Sequence, residues 1–411
     1  MNFEALRVVR LSECASFQEG YVNPPQTEPS YFGSDVKWLR ATDLNNSFVF
    51  ETGRRLSTKG FKSAGKSATL FEPGTLAISK SGTIGRIGIL QDYMCGNRAV
   101  INIKPNETCH PRFIFYTLLH RRSEIETLAE GSVQKNLYVS TLGKLEIQLP
   151  TLELQKKIAS VLGSLDDRIV LLRETNATLE AIAQALFKSW FVDFDPVRAK
   201  MDGRIPEGMD EATAALFPDG VEESELGPVP SGWQPKRLGD FIDLAYGKAL
   251  KANDRVFGSV PVYGSGGITG WHSEALVNVP SVIVGRKGTV GSLYWESRPF
   301  FAIDTVFYVK SRYPLTYCYY LLQTLGLQDM NTDAAVPGLN RENVYRLKVP
   351  ACPQTLLTAF DAVVTPLRKS IDDNLRRVET LTRLRDALIP RLISGQILIP
   401  EMEAQVNALA A

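Results

Sequence analysis

The sequence predicts an α+β fold: two similar β-rich domains, each followed by a long heptad-patterned helix, the two helices pairing as a coiled coil. Three observations carry that prediction. Residues 77–104 (AISKSGTIGRIGILQDYMCGNRAVINIK) are echoed without a gap at 283–310 (IVGRKGTVGSLYWESRPFFAIDTVFYVK), 206 residues on. A period near 200 is far longer than the roughly 20–50 residues of a solenoid repeat, so it marks two whole domains of one kind. A stripe of apolar residues with heptad spacing follows each copy. The segment between the two halves is poor in apolar periodicity and rich in Pro and Gly.

Each copy reads in the same order. Residues 10–20 (RLSECASFQEG) align with 237–247 (RLGDFIDLAYG) at an offset of 227, and Leu137, Leu142 and Leu145 align with Leu339, Val344 and Leu347 at an offset of 202. Drifting offsets mean unequal loops on one framework. Short β-branched runs broken by Gly turns, 75–79 then 86–90 and 281–284 then 292–295, indicate a twisted sheet or open barrel. A helix is expected at 112–120 and at 315–325. Each copy closes on an apolar strand ending in proline, Leu149-Pro150 and Val349-Pro350.

The first stripe runs Ile158, Leu162, Leu165, Ile169, Leu172, Asn176, Leu179, Ala183, Leu186 and Trp190. The second runs Phe360, Val364, Leu367, Ile371, Asn374, Val378, Leu381, Arg385, Leu388 and Leu392. Steps of four and three over more than four repeats indicate a helix lying along another helix. Either stripe alone also fits an ordinary amphipathic helix on a core; two of equal period, one after each copy, favour a pair. Asn176 and Asn374 either pair in that seam or sit at its surface. Pro366 lies inside the second stripe, so that helix either starts near it or kinks there. The domain division expected is 1–150, a spacer helix in 151–195, a linker over 196–230, 231–350, and a second helix with a tail over 351–411.

Composition excludes several classes. Hydrophobic content is 44% and charged content 22%, ordinary for a globular protein. No apolar run approaches the roughly 18–20 residues of a membrane span, and the first residues lack the apolar core of a signal peptide, so no membrane and a cytoplasmic setting are expected. The five cysteines are scattered without a CxxC pair, which fits neither a disulfide framework nor a zinc site. A net charge of +1 means that any nucleic-acid contact must rest on local basic patches.

Such patches exist. Arg54, Arg55, Lys59, Lys62 and Lys66 share one loop-like stretch, and Lys80 and Arg86 flank the GTIG turn. In the second copy Lys248, Lys251 and Arg255 follow Gly247, and Arg286 and Lys287 sit at the GTVG turn. Exposed Lys and Arg neutralise phosphates, and Arg also reaches guanine edges; a plain solvated surface is the competing reading. The GTIG and GTVG turns themselves read as structural. Three patterns point nowhere. Residues 60–67 match GxxxxGK[ST] but lack the buried strand before and the helix after that a phosphate cradle needs. Residues 23–26 (NPPQ) lack the aromatic of a base-flipping methyltransferase motif. His110, His120 and His272 have no ligand spacing, and no catalytic constellation forms.

The ordered set of motifs resembles the specificity subunit of type I restriction–modification systems. The resembling text is SGTIG at 81–85, LP at 149–150 with QKKI at 155–158, ALFKSWFVDFDP at 185–196, LGPVPSGW at 226–233 and LIPRLISG at 388–395. The resemblance implies a chain without catalytic residues, cofactor or metal of its own. Its two target-recognition domains would each read half of a bipartite double-stranded DNA site, and the two helices, paired as an antiparallel coiled coil, would set the gap. Partners would be two modification subunits, which methylate adenine with S-adenosylmethionine, and motor–nuclease subunits using ATP and Mg. The alternatives are a fused methyltransferase or nuclease with its own active site, or a coiled-coil adaptor for proteins.

Overall fold

The computed structural model describes residues 7–131, 135–330 and 338–396; the expected C-terminal tail lies otherwise outside the described residues. The chain forms two compact units, Met1–Leu171 with Arg377–Ala411, and Leu172–Arg376. Each unit holds one copy of the repeat and a stretch of both long helices.

In the first copy, strands β1 (Ala15–Glu19), β2 (Ser47–Val49), β3 (Leu76–Ser79), β4 (Ile87–Leu90) and β5 (Val100–Pro105) form one sheet in the order β1-β5-β3-β4-β2. Helix α1 (Pro111–His120) packs on it, and the long helix α2 (Leu152–Phe191) follows. The second copy has β6 (Ile242–Tyr246), β7 (Ser281–Gly285), β8 (Leu293–Glu296) and β9 (Val306–Ser311) in the order β6-β9-β7-β8, then helix α3 (Leu315–Thr324) and the long helix α4 (Gln354–Ile393). The strand order is the same, with β2 an added edge in the first copy. A smaller three-stranded sheet recurs too. Phe32–Leu39 pairs parallel to Met94–Gly96, as Val260–Gly264 does to Phe301–Ala302. Arg7–Arg10 pairs with Glu146–Leu149, and Gln234–Arg237 with Lys348–Ala351, at the offsets of 227 and 202 that the sequence shows.

The central strands are buried along their whole length because each face meets a core. Leu76 and Ile78 of β3 join the apolar cluster containing Phe113 and Phe115, while the intervening Ala77 joins Leu39, Phe71 and Met94. In β7, Val282 and Val284 face the cluster of Tyr317 and Tyr320, and Ile283 faces Tyr263 and Phe300. A strand covered on both faces reads as a continuous apolar run, and this is why simple alternation is absent from these segments.

The frame depends on close backbone contacts at matched glycines. The Gly20 amide donates to the Val100 carbonyl at 3.0 Å, and Gly247 to Val306 at 3.2 Å. A Cβ on Gly20 would be driven onto the Asn97 carbonyl oxygen, and one on Gly247 onto that of Ile303.

Both long helices are 40 residues long. Every seam residue predicted from the heptads is buried or half-buried. In the first unit Ile158, Leu162 and Leu165 share a core with Leu388 and Leu392. In the second, Phe187, Trp190 and Phe191 pack with Phe360 and Val364, and Leu186 is only half-buried beside them. The stripe therefore shifts by one residue at its end, onto aromatic rings; Phe191 and Phe360 meet edge-on at 5.1 Å between centroids. Within the second unit Asn176 accepts from Asn374 at 2.8 Å and donates to the Ile371 carbonyl at 3.3 Å, so the two asparagines do pair across the seam. Pro366 neither starts nor ends α4: the helix begins at Gln354 and runs through it. The proline removes one amide donor, and the preceding Thr365 hydroxyl donates to Asp361 at 2.8 Å.

The stretch expected to be a linker is folded. It holds helices Asp195–Met201 and Glu211–Ala215 and a hairpin of Val221–Ser224 with Gly227–Pro230. Val197 and Phe217 are buried in the core of the second unit, where Trp190 meets Phe217 edge-on at 5.3 Å. Few but large apolar side chains anchor it, a pattern that periodicity cannot reveal.

Candidate nucleic-acid interface

The two Gly turns place equivalent cations. Gly82, Gly85, Gly288 and Gly291 all have φ between 70° and 82°, a region that favours glycine. The Lys80 amide donates to Ala99 and its carbonyl accepts from Leu137; the Arg286 amide donates to Thr305 and its carbonyl accepts from Leu339. Lys80 and Arg286 are thus one position of the frame carrying different side chains.

Those side chains have different surroundings. Lys80 forms an ion pair with Glu19 at 2.8 Å. At the matching place in the second copy stands Tyr246, half exposed, with the Arg286 guanidinium 4.9 Å and the Arg341 guanidinium 5.1 Å from its ring centre. Arg286 also donates to the Asp304 carbonyl at 3.0 Å. Tyr246 and Arg341 were not among the sequence candidates. Extending the 202 offset by two residues past Leu137 and Leu339 would have paired Val139 with Arg341 and exposed the substitution.

The basic run of the first copy divides into committed and free members. Arg54 lies 3.9 Å from the Phe32 ring centre and bonds Gln26, which holds the NPPQ segment. Arg55 pairs with Glu51 at 2.7 Å and donates to the Ser34 carbonyl at 3.1 Å. Lys59 donates to the Ser30 hydroxyl at 2.8 Å. Lys62 and Lys66 are exposed and have no carboxylate partner among the described residues. Next to this run, Lys37 bridges Glu51 and Asp92 at 2.8 Å each. Burial works against its charge, yet the bonds to Asp92 and Glu51 hold its pKa above the ordinary lysine value. The same contacts with Lys37 and Arg55 lower that of Glu51.

Arg86 is half-buried beside its turn. In the second copy Lys248, Lys251 and Lys287 are exposed, while Arg255 donates to the Thr269 carbonyl at 2.7 Å and braces its hairpin.

The misleading patterns resolve as local structure. Residues 60–67 contain the end of a five-residue helix, Thr58–Lys62, capped by Ser57, and a single 3-10 turn. A Cβ on Gly60 would strike the Tyr31 carbonyl, so this glycine serves packing. The His272 Nδ1 accepts the Val256 amide at 3.0 Å, a structural bond. Among the described residues no group of three or more His, Cys, Asp or Glu gathers as a metal site, and no helix is long and apolar enough to cross a membrane.

Comparison with known proteins agrees with this layout. The family model for the type I restriction modification DNA specificity domain matches residues 6–181 and 230–354, one match on each copy. The MjaIX specificity subunit of Methanocaldococcus jannaschii is 25% identical, over 93% of this chain and 91% of that one. The HindI specificity subunit of Haemophilus influenzae is 27% identical, over 75% and 82% respectively. The crystal structure of a type I restriction–modification S subunit from M. genitalium superposes with a TM-score of 0.54 at 18% identity, covering 95% of this chain and 96% of that one, which establishes likeness of fold. The chain therefore belongs to the type I restriction–modification specificity family, as an S subunit, the non-catalytic component of a type I restriction enzyme.

Proposed function

We propose that this chain directs adenine methylation and restriction to a bipartite DNA site, with recognition domains at 1–150 and 231–350 each reading one half. The supporting observation is the duplicated frame: one strand order, built twice, each time followed by a helix of 40 residues. A single module with a single groove has no use for a second copy; two half-sites do. The paired helices act as the ruler that sets the gap. The chain binds no cofactor itself. S-adenosylmethionine belongs to two modification subunits docked on it, and ATP with Mg to motor–nuclease subunits, all in the cytoplasm.

Phosphates are neutralised by the exposed lysines, Lys62 and Lys66 in the first domain and Lys248, Lys251 and Lys287 in the second. Arg286 and Arg341, splayed around Tyr246, are suited to base edges and stacking. Arg54, Arg55, Lys59 and Arg255 hold the loops that present these groups, and Lys80 and Arg86 flank the first turn.

Removing one heptad from each of α2 and α4 tests the ruler. The expected result, by mapping methylated adenines in a host carrying the variant, is the same bases with a shortened gap. Altered bases with an unchanged gap would refute it.

A further inference from the structure

Within each unit polar side chains pair across the two long helices. In the first unit Arg385 of α4 donates to Asp166 of α2 at 2.7 Å, and the Tyr116 hydroxyl donates to the same carboxylate at 2.6 Å. Asp166 is 2% exposed. In the second unit Arg368 of α4 donates to Glu180 of α2 at 2.5 Å, with the Tyr320 hydroxyl donating at 3.3 Å. Asn374 and Asn176 form the third pair. The acid comes from α2 and the arginine from α4 in both units, although the two helices are copies of one another.

The duplication shows what the wrong pairing would do. Residue 152 of α2 corresponds to residue 354 of α4, an offset of 202 along the whole helix. By that correspondence Asp166 occupies the place of Arg368, Ala183 that of Arg385, and Leu172 that of Asn374. If α2 paired with α2 of a second copy in this register, Glu180 would face Asp166, and the amide of Asn176 would face Leu172. If α4 paired with α4, Arg368 would face Arg385, and Asn374 would face Val378. Each like pairing buries two charges of one sign and leaves an amide without its partner. Buried charges that lose their counter-charge are strongly destabilising, and polar seam residues are known to choose partner and register. Repulsion in the wrong complex contributes to specificity as much as attraction in the right one.

We infer that Asp166–Arg385, Glu180–Arg368 and Asn176–Asn374 select pairing of α2 with α4 of the same chain over pairing of like helices between two copies. The duplication makes such a device necessary, because the apolar residues of the two stripes are otherwise nearly interchangeable.

Charge exchange in the full-length chain tests this. The variant E180R/R385D sets like charges against each other in both intrachain pairs and matches them in both like-helix pairs. Light scattering coupled to size exclusion should show the wild type at the mass of one chain and this variant at the mass of two. The variant D166R/E180R/R368D/R385D restores opposite charges within the chain and should return to one chain's mass. A double variant that stays monomeric with an unchanged melting transition would overturn the inference. Should the double variant fail to fold, the fourfold variant decides: cooperative unfolding as a monomer supports the inference, and failure of that variant too overturns it.

Discussion

Position 80 and position 286 occupy the same point on two copies of one frame, yet Lys80 has a carboxylate partner and Arg286 has none among the described residues. Lys80 is paired with Glu19, whereas Arg286 shares the exposed face of Tyr246 with Arg341. The main-chain bonds that the two residues themselves make recur in both copies. The frame is thus decoupled from the side chains it carries. Strands, Gly turns and close backbone contacts recur, because each is dictated by packing. The side chains above them diverge, as expected if the two copies address different DNA.

Substitutions at matched positions test this contrast. The largest effect is expected in the seam. Arg385→Ala strands a buried Asp166 and should cost about 3–5 kcal/mol of unfolding free energy, measured by urea titration. Arg368→Ala should cost less, about 2 kcal/mol, because Glu180 keeps 24% of its side chain exposed. Equal losses would show that the two halves of the seam are energetically alike after all.

Next come the matched glycines. Gly20→Ala and Gly247→Ala each force a Cβ onto a backbone carbonyl. Both should lose about 1–3 kcal/mol, and by similar amounts in thermal melts. A loss confined to one copy would mean that the frames are less equivalent than their hydrogen bonds indicate.

The divergent position should separate the copies in DNA binding by the assembled methyltransferase. Arg286→Ala is expected to weaken binding about tenfold, roughly 1.4 kcal/mol. Lys80→Ala should do little, since Glu19 already neutralises that lysine. If the two behave alike, the proposed division of labour fails. The smallest effects should be those of Lys62→Ala and Lys66→Ala, each flattening the salt dependence of binding by about one ion with no change in the bases read.

Much of the fold was legible in the residues themselves. The offsets of 227, 206 and 202 reappear as matched strands, and Leu145 and Leu347 fall beside them as expected. Both long helices follow their heptads. The candidate site was legible only as a set of charges. Arg54 and Lys62 look alike in a sequence, but Arg54 lies against Phe32, 22 residues earlier in the chain, while Lys62 reaches solvent. The 196–230 stretch misled because two or three large side chains, Phe217 above all, suffice to bury a segment without any period. The helix does not start at Pro366, because one lost helical bond is outweighed by burial of Phe360, Val364 and Ile371 around it.

The chain by itself determines duplication, the two helical stripes and the turn positions, since these follow from local backbone preference and from the spacing of apolar residues. Tertiary structure alone decides which cations are spent on internal bonds, which acid meets which arginine, and which poor-looking segment is buried. Those outcomes depend on contacts between residues up to 219 positions apart, and no local pattern encodes them.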